Sequence, residues 1–81
     1  MKIEVKLYAS LGKYMPQGVL EKGQNYLDVG EGTTIKALLE TLKVPLEAVK
    51  LIFRNGIHAK DEEVLKDGDR LGVFPPVAGG Y

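Results

Sequence analysis

Asp67-Gly68-Asp69-Arg70-Leu71-Gly72-Val73-Phe74-Pro75-Pro76-Val77-Ala78-Gly79-Gly80 passes from a turn, through a strand, into a tail that is followed by one more residue, Tyr81. Asp-Gly-Asp signals a turn because Asp bonds its own backbone and Gly tolerates positive φ. Arg70 to Phe74 then reads as a strand, with Leu71 and Val73 on the core side and Gly72 and Phe74 on the opposite, open side. Pro75 and Pro76 end it, since neither donates a ladder hydrogen bond and both favour a stiff extended chain. A core strand therefore runs without a linker into residues 75–81, which are expected to form a flexible functional tail.

Working outward, Lys2 to Tyr8 alternates strictly, placing Ile3, Val5 and Leu7 on one face and Lys2, Glu4, Lys6 and Tyr8 on the other. A loose stretch punctuated by Gly12, Pro16, Gly18 and Gly23 leads to a second strand over Gln24–Val29. After Gly30-Glu31-Gly32, Thr33 or Thr34 caps a helix whose Ile35, Leu38, Leu39 and Leu42 share one face. Val44-Pro45 stops that helix, and Pro45 suits the first turn of a short helix through Val49. Lys50–Arg54 is strand-like, with Leu51 and Phe53 expected inward and Ile52 outward beside Lys50 and Arg54. Asn55-Gly56 is a hairpin turn signal, and Ile57, Val64 and Leu65 are apolar anchors of a short strand before Asp67.

The order strand, strand, helix, short helix, strand, short strand, strand implies an α+β fold: a mixed sheet of four to five strands with one main helix across one face. That is a β-grasp, or ubiquitin-like, arrangement. It accounts for residues 1–81 as a single domain, in keeping with 81 residues and 44% hydrophobic content.

Composition narrows the function. Eleven Lys plus Arg balance eleven Asp plus Glu, so no basic surplus recommends a nucleic-acid partner. With no Cys there is no disulfide, cysteine nucleophile or thiolate metal site. No apolar run approaches the roughly 20 residues of a membrane helix, and the start, Met1-Lys2-Ile3-Glu4-Val5, lacks a signal-peptide block. The expectation is a soluble cytoplasmic protein.

Candidate catalytic groups are few. His58 is the single histidine and reads as a solvated loop residue. Asp61-Glu62-Glu63 and the pair Asp67 and Asp69 lack the spaced oxygens of a calcium loop, so no metal site is assigned. Gly30-Glu31-Gly32 lacks the Lys-Ser/Thr of a phosphate loop. The distinctive feature is the tail. Pro75 to Gly80 spans at most about 20 Å when extended, enough to carry a terminal carboxylate into another protein's pocket. Gly79 and Gly80 present no side chains and suit a narrow tunnel.

From Asp67 to Gly80 the residues resemble the turn, last strand and tail of molybdopterin synthase small subunits. Essentially the whole chain is similar to the ubiquitin-like sulfur carriers of the molybdopterin synthase and thiamine groups; the double proline favours the molybdopterin branch. The resemblance implies a carrier with no catalytic residues and no bound cofactor. In such carriers an E1-like adenylyltransferase uses ATP to activate the terminal glycine carboxylate, here Gly80 with Gly79 before it, and a sulfur donor makes the thiocarboxylate. The molybdopterin synthase large subunit, or an equivalent sulfur acceptor enzyme, then receives the tail. Phe74, Pro75, Pro76, Val77, Ala78, Ile52 and Tyr8 are the expected partner-binding residues.

Tyr81 departs from the pattern, because it locks the Gly80 carboxyl in a peptide bond. Its removal by a peptidase is the leading expectation. The alternatives are a carrier for thiamine or another pathway, a ubiquitin-like protein modifier, and an interaction domain that retains Tyr81. The metal of the cofactor served, molybdenum or tungsten, is not encoded in the chain.

Overall fold

The computed structural model describes residues 1–15 and 25–76. They form a five-stranded mixed sheet crossed on one face by a helix, as the element order predicts. Strand β1 (Lys2–Leu7) leads into a 3-10 helix over Ala9–Tyr14, and β2 (Tyr26–Asp28) precedes helix α1 (Ile35–Thr41). A 3-10 turn over Leu46–Ala48 is followed by β3 (Leu51–Arg54), the two-residue β4 (Ile57–His58) and β5 (Arg70–Phe74). The strand order is β2-β1-β5-β3-β4. The last strand is thus the central one, parallel to β1 and antiparallel to β3.

Local chemistry explains several boundaries. Thr34 is the cap: its hydroxyl accepts from the Ala37 N–H at 3.1 Å, relieving one of the orphan donors at a helix start. The helix ends at Thr41, before Val44-Pro45, because Lys43 turns left-handed at φ 65° and its N–H bonds Glu40 O. Asn55 and Gly56 both take positive φ, 54° and 80°, the pair of values a two-residue hairpin loop needs. Gly68 at φ 85° closes the turn before β5, where its N–H donates to Lys2 O and Asp67 Oδ1 accepts from Lys2 N.

The core lies between sheet and helix. Ile3, Val5, Leu71 and Val73 face Ile35, Leu38 and Leu39, all essentially fully buried. The stretch around Gly12 is not loose. Ala9–Tyr14 is helical because Leu11 drops into the core, joined by Met15. Pro16, Gly18, Gly23 and Gln24 lie outside the described residues.

Two expectations in the β3–β4 region are corrected. Ile52 was expected to face outward, but it is 7% exposed and belongs to the core, whereas Leu51 and Phe53 take the open face. The cause is register: Ile52 pairs with the inward Val73, and Phe53 with Gly72, and cross-strand partners share a face. Ile57 is not an anchor either, being 72% exposed at the sheet edge, and Val64 is half exposed in an isolated bridge to Thr34; Leu65 is fully buried.

Candidate functional site

The face of the sheet opposite α1 carries the candidate site. Alternation and register bring Glu4 and Lys6 of β1, Gly72 and Phe74 of β5, and Leu51 and Phe53 of β3 to one surface. Tyr8, one residue beyond β1, joins them. Gly72 sits beneath the rings, with Phe74 and Tyr8 carbons each 3.6 Å from where its Cβ would be. Over it the Tyr8 and Phe74 rings stack with centroids 4.2 Å apart and planes at 4°. Phe53 meets Phe74 edge-on at 5.7 Å and 90°, and meets His58 at 5.9 Å. Such arrangements contribute beyond simple area burial.

The aromatic group borders a shallow trough of about 360 Å³ whose other walls include Glu4, Lys6 and Arg70. Glu4 and Lys6 approach to 3.8 Å. Tyr8 and Leu51 remain about 40% exposed, so apolar surface stays open to a partner. Sequence reasoning placed Tyr8 and Phe74 on this face, and there they are. It put Ile52 there in place of Phe53. The flanking charges Lys50 and Arg54 share the parity of Ile52 and by alternation would point it outward, but Arg54 pairs with Asp69 and Glu63, and only the register with β5 identifies Phe53.

The exit of the tail is built into the same surface. Tyr8 N–H donates to Val73 O at 3.0 Å from the β1 side, and Lys50 N–H donates to Phe74 O at 2.8 Å from the β3 side. Pro75, half-buried, and Pro76, exposed, then carry the chain off the sheet. Val77, Ala78, Gly79, Gly80 and Tyr81 lie outside the described residues.

Behind the other end of β5 a polar cluster fixes the strand's entry. The Asp69 carboxylate accepts from Asn55 Nδ2 at 3.0 Å and Lys66 N at 2.8 Å, and pairs with Arg54 Nε at 3.0 Å. Arg54 also reaches Glu63 at 3.0 Å. Burial by itself pushes the Asp69 carboxyl up; the Asn55 and Lys66 hydrogen bonds and the Arg54 charge outweigh it and hold the group below its ordinary 3.8. Its partners are all internal, so the cluster serves structure. Among the described residues no three His, Asp or Glu side chains gather in a way that would hold a metal ion. None of their helices is long and apolar enough to cross a membrane.

Comparisons with known proteins agree with this layout. The chain is similar to the small archaeal modifier protein 1 of Haloferax volcanii, with 26% identity over 94% of this chain and 98% of that one and a TM-score of 0.66. It is also similar to a chain in the complex of subunits 1 and 2 of the molybdopterin-converting factor of Helicobacter pylori, with 25% identity, coverage of 99% and 100%, and a TM-score of 0.59. No curated protein matches the chain by sequence. The model of the ThiS family matches residues 16–80, four-fifths of the length and reaching to the second glycine of the tail. With its ubiquitin-like sheet and a match of that extent, the chain belongs to the ThiS family of small carrier and modifier proteins.

Proposed function

We propose that this protein is a sulfur carrier whose working group is the Gly80 carboxylate, released by removal of Tyr81, and that it serves molybdopterin synthesis. The observation that carries the reading is the junction at Phe74. The central core strand ends there in a partly exposed aromatic face, and in sequence it continues without a linker through Pro75-Pro76 to Gly79-Gly80. The family match supports it by extending to Gly80.

The chemistry needs no residue of this chain to act as acid or base. The Gly80 carboxylate attacks the α-phosphate of ATP on an E1-like enzyme, releasing pyrophosphate and giving an acyl adenylate. Hydrosulfide-level sulfur then adds to the acyl carbon and displaces AMP, leaving a thiocarboxylate. On an acceptor enzyme the thiocarboxylate sulfur bonds to the acceptor's substrate, and water then attacks the acyl carbon, breaking the carbon–sulfur bond, so that the sulfur stays on the substrate and the Gly80 carboxylate is restored. The chain contributes binding and delivery: Tyr8, Phe53 and Phe74 offer the docking surface, and the prolines aim the tail. Ile52, being core, has no part in docking. The Helicobacter pylori neighbour, solved as a complex of two converting-factor subunits, supports an acceptor subunit as partner.

The modifier reading, in which activated Gly80 is joined to a lysine of another protein, draws on the likeness to the small archaeal modifier protein 1. Intact mass of the protein isolated from its own cells tests the proposal. A chain ending at Gly80, partly as thiocarboxylate, is expected. Isopeptide adducts bearing Gly79-Gly80 would favour the modifier, and uniform retention of Tyr81 would favour a plain interaction domain.

A further inference from the structure

We propose that Tyr8 is a positioning residue for the tail: its ring braces Phe74 and so fixes the direction in which the chain leaves the sheet at Pro75. Its functional consequence rests on the carrier reading above; its physical content does not.

Tyr8 lies where a strand side chain has no reason to be held. Strand β1 ends at Leu7, and Ala9 takes φ 52°, a left-handed value that non-glycine residues seldom adopt. Tyr8 is nonetheless anchored through both backbone groups: its N–H donates to Val73 O at 3.0 Å, and its carbonyl accepts from Leu11 N at 3.0 Å. Leu11 is itself sunk in the core at 1% exposure, so this bond ties the Tyr8 backbone to the rigid interior. The ring that results lies parallel to Phe74 at 4.2 Å.

Phe74 is thereby clamped in three ways. Tyr8 covers one ring face, Phe53 meets the ring at a right angle, and Phe74 O accepts the Lys50 N–H at 2.8 Å. Beyond that carbonyl, neither Pro75 nor Pro76 has an N–H to donate to the sheet. The Phe74 ring and the Lys50 bond are therefore what orient the root of the tail. Gly72 suits this, because a Cβ there would already touch both rings at 3.6 Å and would leave room for nothing larger than a methyl beneath them. Among the described residues the Tyr8 hydroxyl has no hydrogen-bond partner, so a brace needs only its ring. A partner seated on the Tyr8–Phe74 stack would grip the root of the tail at the same time.

The test compares Tyr8→Ala, Tyr8→Leu and Tyr8→Phe with Tyr26→Ala, which removes a half-exposed ring from the β2 edge of the same face. Amide hydrogen exchange is read at Lys50, whose N–H reports the Phe74 carbonyl, and at Val5 and Leu71 as core references. Tyr8→Ala and Tyr8→Leu should speed Lys50 exchange by about two- to tenfold, the span set by an aromatic pair's coupling. Tyr8→Phe and Tyr26→Ala should leave it unchanged, while Val5 and Leu71 report any change in global stability. Tyr8→Leu keeps an apolar side chain and secures the comparison should Tyr8→Ala fold poorly. Unchanged Lys50 exchange in both Tyr8→Ala and Tyr8→Leu, or equal acceleration by Tyr26→Ala, would overturn the brace.

A second arm uses chains ending at Gly80 with an E1-like enzyme and ATP. Tyr8→Leu should lower kcat for adenylation several-fold, beyond whatever loss of docking its KM shows, and Tyr8→Phe should restore kcat. A raised KM with kcat intact, or a Tyr8→Phe whose kcat is as low as that of Tyr8→Leu, would leave Tyr8 a docking contact alone and overturn the positioning role. Failure of every chain, the unsubstituted one included, to form an adenylate would refute the carrier reading and leave the brace to be decided by exchange.

Discussion

Replacing Asp69 by Asn should destabilise the fold by about 2–3 kcal/mol at pH 7, a large share of the ~4–12 kcal/mol that a chain of this length holds. The carboxylate side chain is 8% exposed and takes three donors, from Asn55, Lys66 and Arg54. Asn preserves the shape, but it turns an NH₂ toward at least one of those donors and removes the charge facing Arg54. Losing one member of a fully buried pair costs about 3–5 kcal/mol. Arg54 is 22% exposed and keeps Glu63, which lowers the figure. Glu63→Gln, with a side chain 38% exposed, should cost no more than about 1 kcal/mol.

Urea unfolding at constant m measures both, and with m near 1 kcal/mol/M the Asp69→Asn midpoint falls by about 2–3 M. The sign of the pH dependence is fixed by the lowered folded-state value. Asp69 contributes its stability above 3.8, the ordinary value, and loses it as the pH drops through the lower folded value. The gap between wild type and Asp69→Asn should therefore narrow at acid pH. A loss below about 0.5 kcal/mol at pH 7, in the range of an ordinary surface pair, would refute the reasoning.

The face of β3 is checked by Ile52→Ala and Leu51→Ala: the first should cost about 2–4 kcal/mol in the same assay and the second under about 1, and the reverse order would restore the opposite parity. Gly72→Leu should push the Tyr8 and Phe74 rings apart, seen as loss of their mutual ring-current shifts in proton NMR; unchanged shifts would show that the rings do not rest on Gly72. Phe53→Ser should weaken binding to an acceptor subunit about tenfold or more in calorimetry, as expected of an aromatic anchor, with wild-type affinity counting against the docking face.

Much of the fold was legible because its signals are local. Strict alternation fixes the faces of β1 and β5, a hydroxyl three residues ahead of an N–H makes Thr34 a cap, and Asn55-Gly56 can adopt the two positive φ values its turn needs. What stayed hidden depends on contacts distant in sequence. Leu51-Ile52-Phe53 is apolar throughout and its flanking charges, Lys50 and Arg54, suggest the opposite parity, so only pairing with Val73 and Gly72 settles which residues turn inward. Leu11 pulls a glycine-marked stretch into a 3-10 helix through burial that no periodicity announces. The Asp69 cluster joins Arg54 and Asn55 to a carboxylate some fifteen positions on, a partnership that the turn chemistry of Asp67-Gly68-Asp69 does not reveal. In the site, Tyr8 and Phe74 followed from parity, whereas the Gly72 floor and the Phe53 edge required the assembled sheet.

The central claim is that Gly80 becomes the reactive end once Tyr81 is gone. Intact mass spectrometry after incubation with an E1-like enzyme, ATP and a sulfur donor tests it directly, using the full chain beside one ending at Gly80. The shortened chain should pass through an adenylate and finish with one oxygen exchanged for sulfur, while the full chain stays unchanged. A shortened chain that never forms an adenylate, or a full chain that acquires sulfur with Tyr81 in place, would contradict the account.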